Sequence, residues 1–137
     1  MTSYETVYNM ALRMINDPTL AVWPEEDLKR ELHAWMLQAV YKLPKLREEL
    51  SERDEEMECF VNDLSDKALT VLAIGMRREW LAPQITSVSL TLQRSSKKES
   101  YNQKDFLASL MSLDDSLNVQ MKKILRDETY IDNPYLQ

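Results

Sequence analysis

An all-α fold, a small bundle of about four helices, is predicted by three features of this 137-residue sequence. Apolar residues recur at the spacing i, i+3, i+4, i+7 over several stretches, which is the period of amphipathic helices. The chain contains one glycine, Gly75, whereas glycines are usually scattered through turns and strands. Its apolar and charged fractions, 44% and 29%, are those of a globular protein. We expect one helical domain over residues 1–127 and an extended C-terminal tail over 128–137.

The first helix is predicted from about Ser3 to Ile15. Its apolar residues form a single stripe, and Thr2 with Glu5 three residues later predicts a capping box. The pair Asp17-Pro18 is expected to end the segment, because a residue before proline avoids helical backbone angles.

The second helix is expected to open at Pro24, since proline suits the first turn and acidic residues follow it. Its buried stripe runs from Leu28 to Leu43, and Pro44 is expected to end it. His33 lies beside this stripe, so we interpret it as a partly buried structural histidine rather than a ligand or catalytic base.

The third helix is predicted over Asp66–Leu81, stopped by Pro83. It is apolar on two sides, which indicates that its own bundle or a neighbouring subunit surrounds it. Gly75 lies in its middle, where glycine costs roughly 0.5–1 kcal/mol relative to alanine. A glycine at such a position indicates that another backbone crosses close by.

The segment Val88–Leu92 alternates apolar and polar residues, which is the pattern of a strand, and a short helix or an extended loop stands as an equal alternative. Gln93–Lys104 has four basic residues against one acid and no apolar period, so an extended, mobile polar loop is expected. The last and longest helix is predicted over about Gln103–Arg126, where Phe106, Leu110, Leu113, Leu117, Met121 and Ile124 repeat at helical spacing.

The acidic residues are concentrated between Glu48 and Glu58, where seven acids accompany one arginine and the local charge of −6 equals that of the whole chain. Such a run is a solvated loop or helix end in most proteins, and the sharper interpretation is a docking surface for a basic partner. The net negative charge argues against a general nucleic-acid binder, which needs a basic face.

No pattern of catalytic or metal-binding residues is visible in the sequence, so we expect neither an enzyme nor a bound cofactor or metal. Cys59 is the single cysteine and His33 the single histidine, and one glycine leaves no phosphate-binding loop. The paired acids are adjacent in sequence, so on a helix they point to different faces. Neither a membrane span nor a secretion signal is predicted, because no apolar run approaches 18 residues and no charged-then-apolar leader is present.

Several stretches of the sequence form a recognisable layout. The most specific stretch is Leu72-Ala-Ile-Gly-Met-Arg-Arg-Glu-Trp-Leu-Ala-Pro83. The others are Asp17-Pro-Thr-Leu-Ala-Val-Trp23, the helix Leu28–Leu43, Ser51-Glu-Arg-Asp-Glu-Glu56, Asn62-Asp-Leu-Ser-Asp66 and the polar segment Lys97–Asp105 before a leucine-rich helix. Together these stretches resemble a family of small virion proteins encoded near the capsid and portal genes of tailed bacteriophages.

The resemblance implies a head–tail connector, an adaptor whose copies form a ring, often of twelve, beneath the portal vertex. The implied partners are other copies of the chain, the portal protein and the next neck or tail protein, with no membrane and no specific nucleic acid. The implied location is the neck of the virion, after synthesis in the host cytoplasm. No residue-level site is carried over from the family.

Two interaction sites are hypothesised from the residues. Because a ring contact joins different faces of neighbouring subunits, an acidic and a basic segment can meet there, with apolar burial from the third helix supplying the energy. The hypothesised subunit-interface residues are Glu48, Glu52, Glu55, Glu56, Arg94, Lys97, Lys98, Lys104, Gly75 and Met76. The hypothesised portal-contacting residues, in the C-terminal tail, are Tyr130, Ile131, Tyr135 and Leu136.

Two alternative functions stay open at this point. The chain could be another phage neck protein, a stopper or a tail-completion protein, with the same size and layout. It could also be a cytoplasmic regulatory module that binds one protein through a methionine-lined groove and stays monomeric or dimeric.

Overall fold

The predicted all-α class is confirmed in the computed structural model, which describes residues 1–43, 50–94 and 97–131. Side chains are described throughout these ranges except for 97–102 and 127–131. In chain order the elements are β1 (Thr2–Ser3), α1 (Tyr4–Ile15), a 3-10 helix (Pro18–Val22), α2 (Glu25–Tyr41), β2 (Arg53–Asp54), β3 (Cys59–Phe60), α3 (Asp66–Arg94) and α4 (Lys97–Ile131).

Helix α1 begins one residue later than its predicted start, and its cap differs from the predicted one. Ser3 is the N-cap, and its hydroxyl accepts a hydrogen bond from the Thr6 backbone N–H at 3.2 Å. Thr2 belongs instead to β1, where its hydroxyl accepts from the Leu64 backbone N–H at 2.9 Å. The predicted capping box at Thr2 is therefore wrong, because Thr2 lies in β1 and Ser3 caps the helix.

Helix α2 carries the predicted buried stripe. Leu32, Met36 and Ala39 are fully or almost fully buried, and three carboxylates occupy the first turn of the helix, where the macrodipole favours them. The helix ends at Tyr41, and the predicted stop at Pro44 lies outside the described residues.

A three-stranded antiparallel sheet in the order β1-β3-β2 joins the start of the chain to the acidic segment. Phe60 pairs with Thr2 on one side and with Arg53 on the other. Each strand is only two residues long, so the sequence has no alternation long enough to predict it.

Helix α3 continues through Pro83 to Arg94, so the predicted stop at Pro83 is wrong. Of the three alternatives left open for Val88–Leu92, the helix is the one observed. A proline inside a helix removes one backbone hydrogen bond and strains the preceding turn. Ile85 and Val88 offset that cost by packing toward the core. The Thr86 hydroxyl donates to the Ala82 carbonyl at 3.2 Å, so this polar side chain is bonded within the helix.

Helix α4 is the longest helix described, as predicted, but it begins at Lys97 rather than Gln103 and ends at Ile131 rather than Arg126. Most of the predicted polar loop is therefore helix. Residues 128–131 of the predicted tail are helical as well, and 132–137 lie outside the described residues.

Helices α3 and α4 run antiparallel and share a long seam. Gly75 approaches Met121, and Arg78 bonds to Asp114, so the partner number falls as the α3 number rises. On α4 the seam residues are spaced alternately by three and four, with Leu110, Leu117 and Met121 buried. The buried core lies where this pair packs against α1 and α2.

Candidate functional site

The described part of the acidic segment is largely a β-hairpin, residues 52–61, which we call the acidic hairpin. The Asp54 carboxylate shapes its turn by accepting hydrogen bonds from the backbone N–H groups of Glu56 and Met57, at 3.0 and 3.1 Å. Glu58 closes the turn with a positive φ of 52°. Glu52, Glu56 and Glu58 are exposed, and Met57 at the tip is 66% exposed. The hairpin thus presents carboxylates around an exposed apolar side chain.

Glu55 is the member of this hairpin that points back toward the bundle. Its carboxylate accepts hydrogen bonds from the Tyr4 hydroxyl at 3.0 Å and from His33 Nε2 at 2.9 Å. Desolvation raises the pKa of Glu55. The opposing effect is larger: the hydrogen bonds from His33 and Tyr4, together with the charges of His33 and Arg53, bring the pKa below its ordinary value. His33 therefore ties α2 to the hairpin, in agreement with its predicted structural role.

A polar cleft of about 330 Å³ lies beside this network. Its lining residues are Glu5, Tyr8, Glu26, Lys29, Arg30, His33, Glu55 and Glu58. Burial, followed by the charges of Glu58 and Glu55, raises the pKa of Tyr8, so its hydroxyl stays protonated. In residues 1–43, 50–94 and 97–131, no group of three or more His, Cys, Asp or Glu side chains is placed to hold a metal ion. The cleft is lined by four carboxylates and two cations, Lys29 and Arg30, so its charge is mixed with an excess of negative groups.

Gly75 lies where α3 crosses α2. A Cβ atom built at this position would be 3.0 Å from Ala39 Cβ and 3.7 Å from Met121 Cε. The prediction that another segment crosses close to this glycine is therefore confirmed. Gly75 is buried and Met76 is 0% exposed, which corrects their proposed place in a subunit interface: both belong to the core of a single chain.

A second cleft, of about 290 Å³, borders Gly75 between α2, α3 and α4. Arg78 crosses it with Nε donating to Asp114 Oδ1 at 2.8 Å and Nη2 donating to Asp114 Oδ2 at 3.3 Å. Its Nη1 also donates to Asn118 Oδ1 at 3.1 Å. This forked, half-buried contact fixes the register between α3 and α4.

Beyond the core, α3 and α4 continue together as a two-helix arm, residues 82–94 and 97–109. The arm has no buried side chain among those described, whereas Leu81 and Leu110 at its base are buried. Leu90 is 51% exposed and Phe106 is 53% exposed. Two shallow grooves of about 530 and 340 Å³ follow the outer side of the arm, and Pro83 lines both. The arm therefore carries an apolar surface that the described part of the chain leaves uncovered.

The structure places the remaining predicted site residues at several positions. Arg94 and Lys104 are exposed on the arm, and Lys97 and Lys98 lie in the first turn of α4. Tyr130 and Ile131 lie in its last turn. Glu48, Tyr135 and Leu136 are outside the described residues.

Three surface residues that sequence reasoning did not single out for function are Met57, Leu90 and Phe106. Phe106 was expected in the buried repeat of the last helix, but it is 53% exposed, whereas the other members of that repeat, Leu110, Leu113, Leu117, Met121 and Ile124, are buried or packed against the core. Met57 gives no signal in the sequence, because its exposure follows from the hairpin turn.

Comparisons with protein-family models, with curated proteins and with solved structures found no match. Within the described residues, every helix is too short or too polar to cross a membrane.

Proposed function

We propose that the chain is a structural protein of a bacteriophage virion, a head–tail adaptor whose copies form a ring beneath the portal. The observation that carries the proposal is the two-helix arm, which extends beyond the core and leaves Leu90 and Phe106 half-exposed. A surface of this kind is typical of a chain that completes its packing in an assembly. We take this assembly to be a ring beneath the portal because the sequence resembles small phage neck proteins in its layout.

The charge distribution supports a contact between unlike surfaces, which is what a cyclic ring requires. Residues 50–60 contain five acids and one arginine, a local charge of −4. Residues 82–109 contain four basic and two acidic residues, a local charge of +2. Opposite charges on two surfaces set the orientation of neighbours and speed their encounter.

Co-sedimentation with the portal ring from the same source tests the proposal. The adaptor is expected to sediment with the portal, and not with a portal ring from an unrelated phage used as the matched control. If the chain ignored both rings and remained a monomer or dimer, the proposal would be overturned in favour of a regulatory module. Binding only after another neck protein had been added would instead assign the chain as a stopper or tail-completion protein.

The C-terminal segment is the proposed portal contact, through Tyr130, Ile131, Tyr135 and Leu136. A chain without residues 128–137 lacks all four of these side chains and loses only the last turn of α4, so it should fold as the full chain does. We expect it to lose co-sedimentation with the portal while its circular dichroism spectrum and melting temperature are unchanged. Loss of folding would show that the segment packs on its own chain.

A further inference from the structure

The outer side of the arm needs a partner that is partly apolar and partly acidic. Pro83, Leu90 and Phe106 supply the apolar surface, and the exposed side chains of Arg94 and Lys104 lie on the same arm. A purely apolar partner would leave these cations without compensation, and a basic partner would be repelled.

The acidic hairpin of the same chain has this composition. Met57 and Val61 are 66% and 45% exposed, and the exposed carboxylates of Glu52, Glu56 and Glu58 surround them. One polypeptide therefore carries both halves of a complementary pair of surfaces.

Helix α3 prevents the two surfaces from meeting within one chain. The hairpin strand β3 ends at Phe60, shortly before α3 begins at Asp66, whereas Leu90 lies near the other end of that helix. The 24 residues from Asp66 to Leu90 span about 36 Å at 1.5 Å per residue. A contact between hairpin and arm must consequently join two copies.

We propose that the acidic hairpin of one copy docks on the outer side of the arm of the next copy, with Met57 against the apolar surface around Leu90 and Phe106. The contact rests on the proposed function, since it names the surfaces by which copies of the chain assemble. Each copy contributes its hairpin to one neighbour and its arm to the other, so the interface is heterologous and repeats around a ring.

Two variants, each blocking one surface, test the contact. Met57→Asp places a charge on the docking surface of the hairpin and leaves the arm unchanged. Leu90→Asp places a charge on the docking surface of the arm and leaves the hairpin unchanged. Both residues are exposed, so neither change disturbs the core. Val119→Asp is the matched control, because Val119 is 64% exposed on α4 outside the arm. Sedimentation velocity over a range of concentrations measures the mass of each sample at low and at high salt.

The wild-type chain and the Val119→Asp control are expected to associate progressively, and more weakly at high salt. Each of the two blocking variants should associate at least about tenfold more weakly. An equimolar mixture of the two should give a dimer and nothing larger, because one intact hairpin and one intact arm remain. If the wild-type chain assembles only on the portal, the same comparison is made by counting the copies bound per portal ring.

The outcomes separate this contact from the proposed function. If Met57→Asp and Leu90→Asp assemble as the wild-type chain does, or if their mixture gives no dimer, the hairpin–arm contact is wrong and the adaptor role is unaffected. If the wild-type chain stays monomeric alone and also ignores the portal, both proposals are overturned.

Discussion

Gly75 determines how closely α2 and α3 approach each other. Because Gly75 has no side chain, Ala39 can pack directly against its backbone. A Cβ atom added at Gly75 would lie 3.0 Å from Ala39 Cβ, a distance at which real Cβ contacts are rare. The cost of glycine within a helix is offset by this close packing of two backbones.

The first prediction is that Gly75→Ala lowers the free energy of unfolding by about 1–2 kcal/mol. Better helix propensity contributes roughly 0.5–1 kcal/mol in favour of alanine, but the added methyl overpacks a rigid contact, which costs about 1–3 kcal/mol. Urea denaturation measures the difference.

A double variant, Gly75→Ala with Ala39→Gly, is the matched control because it exchanges the methyl group across the contact. It should be less destabilised than the sum of its single variants. A more stable Gly75→Ala protein would show that α2 moves aside freely.

The second prediction concerns pH and Glu55. Its folded-state pKa is lowered, so its bonds to Tyr4 and His33 stabilise the fold above the ordinary carboxyl range and this contribution is lost as pH falls through the folded pKa. Glu55→Gln should therefore be less stable than wild type near pH 6, by no more than about 1 kcal/mol because the side chain is 55% exposed.

The gap between Glu55→Gln and wild type should close below about pH 4, where an ordinary carboxyl is protonated. Thermal unfolding across this pH range measures it. Glu56→Gln is the control, since that neighbouring side chain is exposed, and a gap of the same size for both variants would contradict the role given to Glu55.

At the scale of elements, the α3–α4 pair organises the molecule. The forked contact from Arg78 to Asp114 holds the two helices in register at half-buried positions, with side-chain exposures of 32% and 29%. Apolar packing continues from the core into the arm, where Ile85 and Val88 are partly buried against the core.

The third prediction is that Asp114→Asn lowers the free energy of unfolding by about 1–2 kcal/mol, because it weakens hydrogen bonds to a charged, half-buried guanidinium. Asp115→Asn, at the adjacent exposed position, should change it by no more than about 0.5 kcal/mol. Chemical denaturation of both variants measures the difference, and equal effects would show that the Arg78 contact is not what holds the register.

Helical periodicity was sufficient to predict the four helices, and the starts of α1, α2 and α3 fell within a residue or two of their observed positions. Proline was given too much weight at Pro83, because the packing of Ile85 and Val88 against the core favours continuation of the helix there. The same packing turns the alternating Val88–Leu92 segment into helix. Local patterns carry no information about such a distant partner.

The charges of the acidic hairpin and of the basic arm could be predicted from the sequence, but the apolar surfaces that these segments expose could not. The sequence located the acidic and basic segments correctly, because local charge is a property of composition. The apolar residues between the charges, Met57 and Leu90, become a surface only once the hairpin turn and the arm have formed. The sequence likewise could not tell that Gly75 and Met76 serve a core within one chain, since an apolar helix looks the same in either setting.

At the scale of the whole molecule, one end is an acidic hairpin and the other is a basic arm, with the first part of α3, Asp66–Leu81, between them. The two ends differ in charge and each exposes apolar side chains, so neither is suited to meet its own copy symmetrically. This polarity is the physical reason to expect a head-to-tail assembly rather than a two-fold dimer.

Native mass spectrometry of the chain with its portal ring is the most direct test of the proposed adaptor role. We expect a saturated complex in which many copies bind together and whose number of copies matches the symmetry of the portal. A chain that bound as one or two copies, or that left the portal mass unchanged at saturating concentration, would contradict it.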